Sequence, residues 1–191
     1  MANVRINALT TTTTSAASDD YLALDGTTNG TRKMLGNLFA LLSGATFTGN
    51  VVIPGGSVSN AKAKSLLETG TVSATAATGT VNYDAKTQSV LYYTTNASGN
   101  WTLNIRGDGT TTLDSLMAVG DFITIAFLVT QGGTAYYASA LTVDGASVTP
   151  KWQGGTAPTA GNASSIDSYV YTVVKTASAT FTVFAAQTQF K

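Results

Sequence analysis

Apolar residues in this chain fall mostly at a period of two, and only one short stretch carries helical spacing. In YLALD, Tyr21, Ala23 and Asp25 oppose Leu22 and Leu24; GTTNG supplies turn residues, and TRKM predicts the return strand of a hairpin over 21–34. Apolar residues at 35, 38, 39, 41 and 42 then predict one amphipathic helix of about two turns, stopped by Ser43 and Gly44. The next ten residues, GATFTGNVVI, put Phe47, Val51 and Ile53 on one parity and Val52 on the other. Such a segment is extended but cannot bury a core alone, so it needs partners. The same segment from other copies is the simplest supply, which makes it a self-associating neck.

Pro54-Gly55-Gly56-Ser57 breaks that strand, and SNAKAKSLLETG predicts a short linker helix capped by Ser59 or Asn60 and stopped by Gly70. From Thr71 onward the pattern is strand after strand. QSVLYYTT and NWTLNIRG alternate across a hairpin loop at Asn96–Gly99, with Trp101, Leu103 and Ile105 towards the core. LDSLMAVG reads as a turn or two of helix. DFITIAFLVT is apolar enough for a central strand buried on both faces. TAYYAS and ALTV follow, then a tight turn at Asp144-Gly145, and SVTPKW, which Pro150 demotes to an edge or a bulge. SYVYTVVK and ATFTVFAAQ close the chain as a hairpin across Thr176–Ser178. The fold class is mainly β: a hairpin–helix module (1–44), a neck and linker (45–70) and a C-terminal antiparallel β-sandwich or jelly-roll-like domain (71–191).

Composition sharpens this. Only 10% of the 191 residues are charged, with one Glu against nine Asp, and the formal net charge is zero. Charge keeps soluble proteins apart, so a chain this poor in it suits a subunit held inside an assembly. The Thr/Ser/Ala tract of residues 1–20 has little to bury and is expected to lie along a partner. There is no basic footprint for nucleic acid and no polybasic anchor; the longest apolar run falls far short of the roughly 18 residues of a membrane span. No apolar signal region opens the chain, so synthesis in the cytoplasm is expected.

The chain has no Cys and no His, which removes disulfides, the Ser–His–Asp and Cys–His nucleophiles and the usual zinc sites. Asp108, Asp114 and Asp121 sit in or beside turns, where Asp ordinarily accepts local backbone N–H groups, so a glycosidase carboxylate pair is not expected. Gly107-Asp108-Gly109 and Gly26–Gly30 lack the helix and Lys-Ser/Thr pair of a phosphate loop. We expect no enzyme, no cofactor and no metal. Adjacent tyrosines at 92–93 and 136–137 predict one ring on each strand face, with Tyr93 and Tyr137 as candidate contacts to another subunit or to a glycan.

Two stretches carry a resemblance. YLALDGTTNGTRKMLGNLFALL followed by SGATFTGNVVIP resembles the N-terminal attachment region and first shaft segment of bacteriophage fibre proteins, in which a G-A-x-F-T-G-x-V unit begins an intertwined trimeric stretch. VTPKWQGGTAPTAGNASSIDSYV is similar to a domain that recurs at the ends of phage tail-fibre and other virion proteins, with a W-x-G-G-x-x-P loop followed by an Asp. The matching positions are Trp152, Gly154, Gly155, Pro158 and Asp167. A single F-T-G unit departs from the fibre pattern and makes a collar in place of a shaft.

The resemblance implies a homotrimeric virion structural protein, a short fibre or spike. Tyr21, Leu22, Leu24, Leu35, Leu38 and Phe39 would form the attachment module, docking to tail, portal-vertex or capsid proteins. Phe47, Val51, Val52 and Ile53 would form the trimerising neck. Alternatives are a capsid decoration or cement protein and a module that binds a host surface glycan. On physical grounds Trp152 is expected to plug one end of the sandwich, with the glycines letting the backbone past its ring. Asp167 is expected to accept N–H groups where the chain enters the next strand.

Overall fold

A computed structural model describes residues 21–24, 32–35 and 67–191, and divides the chain into compact units at 1–62 and 63–191. Within the first unit, β1 (Tyr21–Leu24) and β2 (Arg32–Leu35) pair antiparallel, with Tyr21 opposite Leu35 and Leu24 opposite Arg32. The expected helix over 35–42 loses its first residue, because Leu35 ends β2 in register with Tyr21; the rest of that helix, the neck at 45–53 and most of the linker lie outside the described residues. Gly70, expected to stop a helix, opens a strand instead.

The second unit is mainly β, and its sheets are mixed. One sheet has six strands in the order β10 (Lys151–Trp152), β12 (Thr180–Phe190), β11 (Ile166–Ala177), β7 (Phe122–Thr130), β5 (Val90–Thr95), β3 (Gly70–Ala76). The other has four, in the order β4 (Gly79–Asp84), β6 (Trp101–Arg106), β8 (Ala138–Val143), β9 (Ala146–Ser147). The expectation of an antiparallel, jelly-roll-like domain is corrected here. β3, β5 and β7 run parallel to one another, as do β4, β6 and β8. The reason lies in the connections. From β3 to β8 the chain crosses to the opposite sheet at every turn, so each strand returns to its own sheet only after two reversals and therefore in its original direction. Asn96–Gly99 is one of these crossings and not a hairpin loop.

Hairpin pairing takes over at the end of the chain. β8 turns into β9 at Asp144-Gly145, and β11 and β12 pair antiparallel over eleven residue pairs, from Ile166–Phe190 to Ala177–Thr180. β10, just past Pro150, adds parallel to β12 as the last strand of the larger sheet, the edge position that the proline demanded.

The inward residues of both sheets form one core. Val81 and Tyr83 of β4, with Trp101, Leu103 and Ile105 of β6, meet Ile125, Phe127 and Val129 of β7 and Tyr169, Tyr171 and Val173 of β11. Trp101 joins the two sheets through edge-on contacts with Phe127 (centroids 6.0 Å apart) and Tyr169 (5.6 Å), an arrangement that aligns ring edges with ring faces. The one-turn helix α1 (Leu113–Leu116) lies in the connection from β6 to β7. Thr112 caps it, and Asp144 accepts the backbone N–H groups of Leu113 and Asp114.

The strands expose two very different outward faces. On the four-stranded sheet the outward residues form polar rows: Thr80, Thr102 and Ala140; Asn82, Asn104 and Thr142; Asp84 and Arg106. On the six-stranded sheet the rows are Val72, Tyr92, Leu128, Ser168 and Thr188; Val90, Ala126, Val170 and Ala186; Thr124, Thr172 and Phe184; Phe122, Val174 and Thr182. β7 is central, but it is buried on one face only: Ile125, Phe127 and Val129 point inward while Phe122 and Thr124 stand in solvent. Its continuous apolar run arises because its outward face is apolar too, not because a second layer covers it among the described residues.

Candidate functional site

Trp152, Gly154, Gly155, Pro158 and Asp167 lie along one stretch at a corner of the domain, between β10 and the start of β11. The chain leaves β9, passes Pro150, lays down β10 and turns through Gln153–Gly155 before the long loop to β11. Gly154 and Gly155 take φ of 75° and 80°, a backbone region that side chains with a Cβ disfavour. A Cβ at either would meet nothing within 4 Å, so the glycines serve the backbone conformation and not clearance past a ring. At Gly161 the reverse holds: a Cβ there would collide with the Tyr136 carbonyl oxygen.

Asp167, fully buried as the second residue of β11, holds this loop in place. It accepts from the Asn162 backbone N–H (3.0 Å), from Asn162 Nδ2 (2.6 Å) and from Gln131 Nε2 (3.1 Å). Gln131 reaches the other way as well: its Nε2 donates to the Tyr136 carbonyl at 2.6 Å and its Oε1 accepts from the Tyr136 N–H at 3.0 Å. The loops before β8 and before β11 are thus tied through one buried side-chain pair. A network with every member satisfied fixes geometry, whereas a buried carboxylate without donors would be costly.

Beside this corner lies a cleft of about 690 Å³ between the edges of the two sheets. Its walls are β8 (Ala138–Leu141), the segment from Ser147 to Trp152, Gly155, Pro158 and Tyr171. Trp152 is half-buried and meets Tyr171 edge-on at 6.1 Å. It lines the cleft and does not plug the sandwich. The reason is its strand: β10 is an edge strand of two residues, so only one side of the ring finds a neighbour. Trp101, on the longer and central β6, is the tryptophan sealed in the core, at 1% exposure. Tyr171 forms the cleft floor, and burial pushes its hydroxyl well above the usual tyrosine range, with Tyr169 adding to the shift.

The tyrosine expectation is corrected in part. Tyr93 packs against the core, edge-on to Phe127 at 5.2 Å, and Tyr92 is the outward ring of that pair. Burial raises the Tyr93 hydroxyl above its ordinary range. Tyr136 and Tyr137 precede β8 in a loop; Tyr136 packs on the core and Tyr137 is half-exposed.

The three aspartates weighed for catalysis are each engaged locally. Asp108 accepts the N–H groups of Thr110 and Thr111 and pairs with Lys86 at 2.7 Å, which holds its carboxyl far below the usual range. Asp114 pairs with Lys175 at 2.7 Å and accepts the Ala179 N–H, and its carboxyl is lowered by those contacts in that order. Asp121 accepts the Ala118 N–H. Among the described residues no group of three or more acidic, histidine or cysteine side chains is arranged to hold a metal ion, and no helix is long and apolar enough to cross a membrane.

Lys175 was not foreseen. It points inward from β11 and donates to the Asp114 and Met117 carbonyls at 2.6 and 2.9 Å, pinning α1 to the larger sheet. A Lys on the inward parity of SYVYTVVK was the available signal. The same parity, shared by Asp167, Tyr169 and Tyr171, could have located the cleft floor.

No family model, curated protein or solved structure matches this chain.

Proposed function

We propose that this chain is a non-enzymatic structural subunit of a bacteriophage virion, a homotrimeric short fibre or spike. Residues 1–44 attach it to the particle, Phe47, Val51, Val52 and Ile53 trimerise it, and residues 71–191 project outward. One observation supports this above the others. Of the residues on which the resemblance to virion end-domains rests, Trp152, Gly155 and Pro158 line one cleft, and Asp167 holds the loop that follows them through Asn162. The low charge of the chain fits the same role, because a subunit inside an assembly needs little colloidal repulsion.

The test is removal of residues 1–44. The shortened chain is expected to remain trimeric in sedimentation and to be missing from purified particles. Retention on the particle would sink the attachment role. Serine at Phe47, Val51 and Ile53 is expected to abolish the trimer, and a trimer that survived would remove the neck. Density at the tail, the vertex or the capsid face would separate a fibre from the alternative of a capsid decoration protein.

The cleft favours a second reading, in which the domain binds a host surface glycan. Trp152, Tyr171 and Pro158 offer apolar surface for a sugar face, and Ser139 and Thr149 offer hydroxyls at the rim. A glycan array on the full chain tests it: binding should be lost with Trp152→Ala, and an array with no bound glycan rejects the reading.

A further inference from the structure

We propose that the outward face of the six-stranded sheet is a contact surface between copies of this chain. The inference rests on reading the chain as an assembly subunit, and it adds a second contact, in residues 67–191, to the one assigned to the neck.

The strands that build this face are unusually free of charge. β3, β5, β7 and β12 contain no Asp, Glu, Lys or Arg, and the two charged residues of β11, Asp167 and Lys175, both point inward. Large apolar side chains stand in solvent instead: Val72 is 71% exposed, Phe122 67%, Phe190 56%, Phe184 47% and Val170 37%. None of the large exposed apolar residues belongs to the opposite sheet. Lys151 of the edge strand β10 is in register with Phe184, and its ammonium lies 5.9 Å from the Phe184 ring centre at the border of the patch.

Size and chemistry select the occupant. With strands about 4.8 Å apart and residues rising about 3.3 Å, the face spans roughly 600 Å² in flat projection. That is the upper end for apolar patches on monomers, and it approaches the roughly 800 Å² per partner of a standard interface. A surface whose one charged side chain is Lys151, at its edge strand, offers little to select a charged partner, and its apolar centre meets its own copy with no like-charge repulsion. The face also carries both halves of such a contact. Phe122 protrudes, and a depression of about 370 Å³ opens beside Val170 and Phe184. A protrusion and a hollow at different places suit a heterologous contact that closes into a ring, the kind a trimer requires.

The chain has no cysteine, so a single introduced thiol can report on the face. In the full-length protein, Val170→Cys is compared with Thr102→Cys, a half-exposed position on the opposite face, by the rate of labelling with a bulky maleimide. Among the described residues Val170 is at least as open as Thr102, so residues 67–191 of its own copy do not account for protection of the first. Labelling at 170 is expected to be tenfold slower or more at concentrations where sedimentation shows several copies together. Adding Phe184→Asp should restore fast labelling, while a trimer held by the neck persists. Equal rates in a chain that still sediments as a trimer overturn this contact and leave the assembly reading standing. Equal rates in a monomer overturn both. Protection at 170 that persists in a monomer also overturns the contact.

Discussion

The two outward faces of the C-terminal domain share a core and almost nothing else. On the four-stranded sheet, Asn104 is a hub: its Nδ2 donates to Asn82 Oδ1 at 2.9 Å, and its Oδ1 accepts from Thr142 Oγ1 at 2.8 Å and from the Gly145 N–H at 2.9 Å. Arg106 Nε donates to Asp84 at 2.6 Å in the next row. This face satisfies its own polar groups across strands and resembles an ordinary solvated sheet. On the six-stranded sheet the outward rows are mostly Val, Ala, Phe, Leu and Thr, with Tyr92, Ser168 and the edge-strand Lys151 among them, and the one side-chain hydrogen bond in the middle joins Thr124 to Thr172 at 3.0 Å. Both sheets alternate cleanly on the inside, so burying the core does not account for the apolar outside of one of them. Folding needed only one apolar face per sheet. On our proposal the second meets another copy of the chain.

Substitutions that act on the shared core should erase the distinction and cost most. Phe127→Ala removes the ring that touches both Tyr93 and Trp101, and is expected to destabilise the domain by about 3–5 kcal/mol in urea unfolding. A loss under about 1 kcal/mol would mean that the two sheets do not depend on one core. Next comes the polar face: Asn104→Ala strands the partners of its hub and should cost about 1–2 kcal/mol. Breaking the half-exposed Asp84–Arg106 pair should cost about 0–1 kcal/mol and shrink further in salt. On the apolar face, Thr124→Ala should fall within about 0.5 kcal/mol. A cost there equal to that at Asn104 would show that the two faces contribute alike to folding.

The connection that carries the chain between the sheets adds a pH dependence. Asp108 and Asp114 both lie in it, and in both the folded-state value is depressed. Their contribution is therefore complete above the ordinary unfolded value of about 3.9 and is lost as the pH falls below it. The melting temperature should drop on acidification through that range. Asp114→Asn should flatten the drop, because it removes the acidic partner of Lys175; an unchanged pH profile would exclude that pair as a contributor.

Strand content and inward parity were readable in the sequence because a period of two with β-branched and aromatic residues leaves few other solutions. Trp101, Leu103 and Ile105 point inward as their alternation required, at 1%, 0% and 0% exposure. Asp167 accepts the N–H of the loop that precedes its strand, as a short acidic side chain at such a junction should. The cleft was only half visible. Trp152 and Pro158 were singled out, but Tyr171 and the edge of β8 reach them through strand placement that local alternation does not report. The role of Gly154 and Gly155 was misjudged because a glycine pair signals freedom without saying whether dihedral or space demands it.

What the sequence determined by itself was local: which residues extend, which side of each strand is apolar, where turns interrupt, and that the chain is poor in charge. Alternation reports that a strand has a buried face. It does not report which strand lies beside it, and a chain that folds back as a hairpin shows the same pattern as one that crosses to the opposite sheet. Only the tertiary structure decided that β3 to β8 cross every time, which makes those strands parallel within each sheet, and that β11 and β12 join beyond β7, which puts the apolar outward rows of β5, β7, β11 and β12 side by side. Each strand carries only a few of those residues. Side by side, they become a surface.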